Sequence, residues 1–305
     1  MDLIRTTGLT FSYNRKKRDI KNLNLKVPKG SIYGFLGRNG SGKTTTIRLL
    51  LGLLSPDDGE VMILGRSIRK HRISCLSRMG ALIENPSLYE HLSGKENLSI
   101  LASCYKNVKP ERIQEVLRLV DLEVFGRKKV RDYSLGMKQR LGLACCLLHQ
   151  PELLILDEPT NGLDPQGILG IRRLLKDLNE KEGITVLVSS HLLSEVEKLC
   201  THYGIIRDGE MVYQGAAEDF LNSRDRKIEI ELETNDLKKT NMIVQDLTLR
   251  TPIFINNHLL VSLKEKNEIP SLIDALRSND IDIFELKIKN DLEKFFLDQT
   301  QNLYE

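Results

Sequence analysis

Leu23, Leu25 and Val27 alternate with polar neighbours, and Pro28-Lys29-Gly30 supplies a turn directly afterwards. That period of two predicts a half-buried antiparallel strand. SIYGFL, residues 31 to 36, is apolar at nearly every position and reads as a buried strand. A Gly-rich loop follows, then a helix through TTTIRLLLGLL, so strand, loop and helix begin an α/β unit. LLIL at 153 to 156 and ITVLV at 184 to 188 read as further strands, each preceded by a long amphipathic segment. GII and MVY flank Asp208-Gly209, a hairpin signal.

Between about residue 82 and residue 150 the texture turns helical; in PERIQEVLRLVDL the apolar Ile113, Val116, Leu117 and Val120 share one helical face. This predicts a helical insertion within one α/β core. After about residue 223 the texture changes again: Ile228, Ile230 and Leu232 alternate strictly. A helix around Leu237 to Leu247, two strands near 253 to 263, a helix after Pro270 and a strand at IDIFELKI complete the order β-α-β-β-α-β. That is the order of a small ferredoxin-like α+β unit.

Composition narrows the class. A chain of 305 residues with 29% charged and 40% hydrophobic residues is typical of a globular protein, long enough for one large domain and an appendage. A net charge of +3 gives no electrostatic reason to expect nucleic acid or an acidic membrane surface as partner. The cysteines, Cys75, Cys104, Cys145, Cys146 and Cys200, form no C-x-x-C pair and read as free thiols of a reducing cytosol. No apolar run approaches the ~20 residues of a membrane-spanning helix, and MDLIRTTGL lacks a secretory core. The expectation is a cytoplasmic chain whose membrane role, if any, comes through a partner.

GRNGSGKTT, residues 37 to 45, fits G-x-x-x-x-G-K-[ST] between a strand and a helix, the context that a phosphate-binding loop requires. Gly37, Arg38, Asn39, Gly40, Ser41 and Gly42 would turn backbone N–H groups around a phosphate, Lys43 would supply a point charge, and Thr44 and Thr45 at the helix start would complete the nucleotide-binding set. Thr44 would also offer a hydroxyl to Mg²⁺. LLILDEP ends a buried strand with Asp157 and Glu158, at the strand end where ligands collect in open α/β sheets. Asp157 is placed to hold Mg²⁺ and Glu158 to polarise a water; alone, such a pair reads as acids opening a helix. Ser134 in YSLGMKQR caps a helix, giving a second anion-attracting terminus beside Gly136, or simply a capped helix.

The ordered set GRNGSGKTT, YSLGMKQR, LLILDEPTNGLD and VSSH resembles the nucleotide-binding subunit of an ABC transporter over about residues 1 to 220. The resemblance implies an ATPase core with an antiparallel β subdomain over residues 1–222, its helical subdomain at about 82–150, and an accessory domain over 223–305. It implies a head-to-tail homodimer sandwiching two ATP molecules on separate transmembrane permease subunits, at the cytoplasmic face of the membrane. Ser134 and Gly136 would then reach the γ-phosphate across the dimer and Asp164 would link the two sites. His191 would steady γ-phosphate and water, and Tyr13 would stack on adenine; apart from the motifs, these two read as a helix-capping histidine and a core aromatic.

Two features depart from the family pattern. In place of Leu-Ser-Gly-Gly-Gln the chain has Tyr133, Leu135 and Met137 at the first, third and fifth positions. Glu84, in MGALIENPSLYEHL, stands where most such subunits carry a glutamine that touches Mg²⁺, which makes it a candidate active-site and metal-binding residue. Both departures, the small C-terminal domain and the ending LEKFFL make the chain similar to the ATPases of bacitracin exporters and lantibiotic self-immunity transporters. A peptide antibiotic is then the implied cargo, with another exporter or an importer as the alternative. The less favoured alternative is an ABC-type ATPase that works on ribosomes or DNA; those on ribosomes carry two ATPase modules in one chain and those on DNA often insert coiled coils or zinc pairs, features this sequence does not show.

Overall fold

The computed structural model describes residues 1–14, 18–84, 86–221, 228–248, 250–255 and 258–288. The chain divides into two compact units, Met1–Ala217 and Glu218–Glu305, so the break falls a little before the 222/223 boundary expected from the texture change.

The first unit opens with strands β1 (Asp2–Phe11), β2 (Ile20–Leu23), β3 (Lys26–Pro28) and β4 (Ile32–Leu36), then helix α1 (Lys43–Leu50). Next come β5 (Asp58–Ile63), β6 (Arg66–Ser67), α2 (Arg72–Leu76) and β7 (Met79–Leu82). Helices α3 (Gly94–Ala102), α4 (Pro110–Leu119) and α5 (Leu135–Leu147) fill the expected helical insertion. The chain returns through β8 (Leu153–Asp157), α6 (Pro165–Glu182), β9 (Thr185–Ser190) and α7 (Leu193–Glu197) to the hairpin β10 (His202–Arg207) and β11 (Glu210–Ala216). Asp208 and Gly209 both take positive φ in the hairpin's two-residue turn, which matches the twist of the strands they join.

These strands make two sheets. The larger has the order β11-β10-β4-β9-β8-β7 and is parallel apart from the edge strand β11. Strands β4, β8 and β9 are buried along their whole lengths, which explains their continuous apolar runs. The second sheet, β2-β1-β5-β6 with β3 also on β1, is antiparallel. The single strand expected over Leu23 to Val27 is two short strands, because the chain breaks step at Asn24 and Leu25, where Thr6 of β1 bonds both Leu23 and Leu25. The helix expected to continue through Leu54 stops at Leu50, and Gly52, at φ +63°, turns the chain away.

Helix α5 packs against β7 and the loop beyond it. Its Gly142 makes this approach possible: a Cβ there would lie 2.7 Å from Pro86 Cβ. That contact seats the segment that follows Glu84 against the helix.

Helix α8 (Ala217–Leu221) straddles the division, and the second unit goes on with β12 (Ile228–Thr234), α9 (Leu237–Thr248), β13 (Ile253–Ile255), β14 (His258–Leu263), α10 (Glu268–Ser278) and β15 (Ile283–Ile288). Its antiparallel sheet has the order β13-β14-β12-β15, the ferredoxin-like arrangement that the β-α-β-β-α-β sequence implied. Ile230, Leu232, Val244, Leu259, Val261, Leu272 and Leu276 form its core. Pro270 lies inside α10 near its start, where a proline costs no helical hydrogen bond. LEKFFL lies outside the described residues.

Candidate functional site

The carboxyl ends of β4, β9 and β8, three neighbours in the parallel sheet, meet at one edge. Leu36 pairs with Ser190 and Ser189 with Asp157, so the loop after β4, the acids after β8 and the serines of β9 arrive together. Between β4 and α1 the loop turns at Gly40 (φ +79°) and Gly42 (φ +108°), backbone conformations that L side chains rarely adopt. At Gly42 there is also no room: an added Cβ would lie 2.7 Å from Ile20 Cδ1. Gly42 caps α1 with no side chain, so the first N–H groups of the helix face the cleft. Arg18, Lys21, Asn39, Thr45 and Glu158 line the same cleft.

Lys43, only 5% exposed, directs its ammonium to the carbonyl of Gly37 at 2.9 Å and to Glu158 Oε1 at 3.4 Å. Asp157 is 3% exposed, and its carboxylate accepts hydrogen bonds from the Thr44 hydroxyl at 2.7 Å and from Ser189 Oγ. Ser189 Oγ in turn accepts the N–H of Glu158 at 2.9 Å. Glu158 has φ +48°, a costly conformation for a non-glycine residue that turns its side chain between Lys43 and His191, whose Nδ1 lies 3.0 Å from Oε2. Beside a carboxylate acceptor, Nδ1 is the donor.

Two further predicted residues join through an intermediary. Arg48, on the same face of α1 as Thr44, donates to Glu84 Oε1 at 2.9 Å. Its guanidinium is held above its ordinary pKa chiefly by hydrogen bonding with Tyr13, against a smaller burial penalty, and then by the carboxylates of Glu84 and Asp157. Tyr13 is half exposed and edge-on to Phe11, with ring centroids 4.9 Å apart. Glu84, at φ +59°, is largely exposed, and its one ion pair among the described residues is with Arg48.

The remaining three stand apart from the cleft. Ser134 caps α5, accepting the Met137 N–H at 3.2 Å, and Asp164 caps α6, accepting the Gly167 N–H at 2.8 Å. Gly136 lies near Leu163, so the starts of these two helices adjoin within one chain. Arg48 and Ser189 are participants that motif reading missed. Arg48 follows Thr44 by one helical turn, a signal the sequence did contain.

Such a loop suits phosphates. It combines a glycine-framed helix start, a buried lysine and Ser41 Oγ, which is buried without a hydrogen-bond partner. Asp157 suits a hard divalent cation: its buried charge is met by two neutral hydroxyls and by no lysine or arginine ion pair among the described residues.

The family described as ABC transporter matches residues 20–161. The bacitracin transport ATP-binding protein BcrA of Bacillus licheniformis is 47% identical over 243 residues, covering 80% of this chain and 78% of that one. The chain belongs to the ABC transporter ATP-binding family. The lantibiotic transport ATP-binding protein SrtF of Streptococcus pyogenes is 39% identical, over 70% of this ABC subunit and 90% of SrtF. A dimeric ATP-binding cassette solved in a post-hydrolysis state with ADP and Pi is 26% identical, with a TM-score of 0.61 over 70% of this chain and 98% of that one. The subunit binds ATP and is an ATPase, and ATP-binding subunits of this family generally dimerise and pair with transmembrane permeases. Among its described residues no helix is long and apolar enough to cross a membrane.

Replacing Thr44 by Val would leave the buried Asp157 carboxylate one donor short. The nucleotide-free variant is expected to lose about 1–3 kcal/mol of stability, read as a lower midpoint of urea denaturation.

Proposed function

We propose that this ABC subunit drives an exporter that removes a peptide antibiotic, bacitracin or a lantibiotic, from the membrane and so gives resistance or self-immunity. The likeness to BcrA over 80% of the chain carries this reading, and the likeness to SrtF supports it. The ATPase would act as a head-to-tail homodimer at the cytoplasmic face, on separate permease subunits.

In this reading the loop from Gly37 to Thr45 holds the phosphates of ATP through its N–H groups, and Lys43 neutralises the β and γ oxygens. Tyr13, half exposed, stacks on adenine. Thr44 and Asp157 would hold Mg²⁺, which when bound offsets phosphate charge. Glu158 takes a proton from the water that attacks the γ-phosphorus, and His191 fixes its carboxylate through Nδ1–H. ADP and phosphate leave, and the proton passes to solvent. Ser134, Gly136 and Asp164 lie away from their own chain's cleft, which fits their serving the other protomer's ATP.

Glu84 gains a physical rationale from Arg48. An unpaired carboxylate would repel a γ-phosphate, whereas one paired to a guanidinium at 2.9 Å carries little net field. We assign the pair Arg48–Glu84 to relaying the state of the nucleotide towards the permease, through the segment held against α5 by Gly142. Leu88 and the exposed Tyr89 follow in that segment.

Glu158→Gln is expected to keep ATP binding and lower turnover about 10²–10⁴-fold; near-normal hydrolysis would remove Glu158 from the base role. Glu84→Gln should change the amount of peptide exported per ATP hydrolysed in the reconstituted exporter, and no change in either rate would dismiss the relay. Extraction from native membranes in mild detergent is expected to recover a polytopic partner in stoichiometric amount, with ATP hydrolysis that responds to bacitracin or a lantibiotic. Recovery with ribosomes or DNA instead would overturn the transporter reading.

A further inference from the structure

The C-terminal sheet carries a second constellation that the nucleotide site does not use. Glu233 of β12 stands directly opposite Glu285 of β15. On the other side of β12, Leu232 pairs with Leu259 of β14, and the next step of that antiparallel register brings His258 beside Glu233. The three residues form one row across three adjacent strands, on the face opposite the buried Ile230, Leu232 and Leu259. His258 Nε2 lies 3.7 Å from an oxygen of Glu233 and 3.7 Å from an oxygen of Glu285, and the three ligand atoms lie within 4.8 Å of one another.

This row is poorly balanced as an ion-pair cluster. Like charges directly opposite across strands repel, and no lysine or arginine among the described residues forms an ion pair with either carboxylate. A single imidazole, even protonated, sets one positive charge against two negative ones.

We propose that His258, Glu233 and Glu285 bind a divalent transition-metal cation through one imidazole nitrogen and two carboxylate oxygens. Metal–ligand distances of about 2.0–2.2 Å in a tetrahedral site place neighbouring donors roughly 3.4 Å apart. The half-buried histidine and the two glutamates reach that spacing by small side-chain rotations, because the paired strands already fix their backbones in one row. Mixed nitrogen and oxygen donors favour zinc, cobalt, nickel or iron over magnesium and calcium, which prefer oxygen alone. Water would complete the shell from the open side. A bound cation would clamp the edge strand β15 to β12 and β14.

The test uses the full-length protein, stripped with EDTA and free of nucleotide, titrated with Co²⁺ by visible absorption and with Zn²⁺ by calorimetry. One equivalent is expected to bind. His258→Gln and Glu285→Gln should each weaken binding by about tenfold or more, while Asp157→Asn, at the nucleotide site, should leave it unchanged. Absence of saturable uptake, uptake that survives both substitutions, or uptake lost in Asp157→Asn would overturn the site and leave His258 as an ion-pairing histidine only.

Discussion

A carboxylate almost wholly removed from water joins the elements at the carboxyl edge of the parallel sheet. Asp157 ends β8, and its two oxygens reach Thr44 at the start of α1 and Ser189 on β9. Burying such a charge is costly unless every lone pair finds a donor, so the loop, the helix and two strands must keep a common register for the carboxylate to remain there. Ser189 extends the constraint by also receiving the N–H of Glu158. Because that N–H is held, Glu158 stays in a left-handed conformation worth about 1–3 kcal/mol of strain, and its side chain is delivered to Lys43 and His191. Removing the Thr44 hydroxyl would therefore disturb Glu158 without touching it, whereas removing the Ser189 hydroxyl would also free the Glu158 N–H.

Helix α1 carries this order outward. One turn beyond Thr44, Arg48 reaches Glu84 and neighbours Tyr13, so the cleft at the start of α1 and the acid after β7 are linked by one rigid element. The partly exposed Arg48–Glu84 pair adds little stability by itself. Its value is positional: two strained residues, Glu158 and Glu84 at φ +48° and +59°, stand at opposite ends of a chain of contacts that runs through α1.

The sequence made some of this visible and hid the rest for identifiable reasons. SIYGFL, LLIL and ITVLV were readable as strands because each is buried on both faces. Strand β1 was not, since Leu3 and Ile4 are both buried and its pairing with β5 shifts between Thr7 and Thr10, near Gly8, so no clean alternation survives. β7 is four residues with Ala81 exposed, too little apolar mass to register. Motifs gave Lys43, Asp157 and Glu158, because their chemistry is local to a loop or a strand end. The Asp157–Ser189 and Arg48–Glu84 contacts span 32 and 36 residues and depend on strand order, which spacing does not reveal.

Strand and helix geometry also accounts for the unusual start of α5. Tyr133, where the family has leucine, is a core residue: it is buried, and its hydroxyl donates to the Phe125 carbonyl at 2.8 Å, so the ring replaces an aliphatic side chain and satisfies its own polar end. Leu135 is half exposed and lies against Gly162, where an added Cβ would be 3.2 Å from its side chain, so it tunes the junction with the start of α6. Met137 contributes its backbone N–H to Ser134, a bond that any residue but proline could make. The three substituted positions thus act through packing or backbone. The two retained ones, Ser134 and Gly136, supply a hydroxyl and an unobstructed surface at a helix start, and a phosphate brought there from outside the chain would need both.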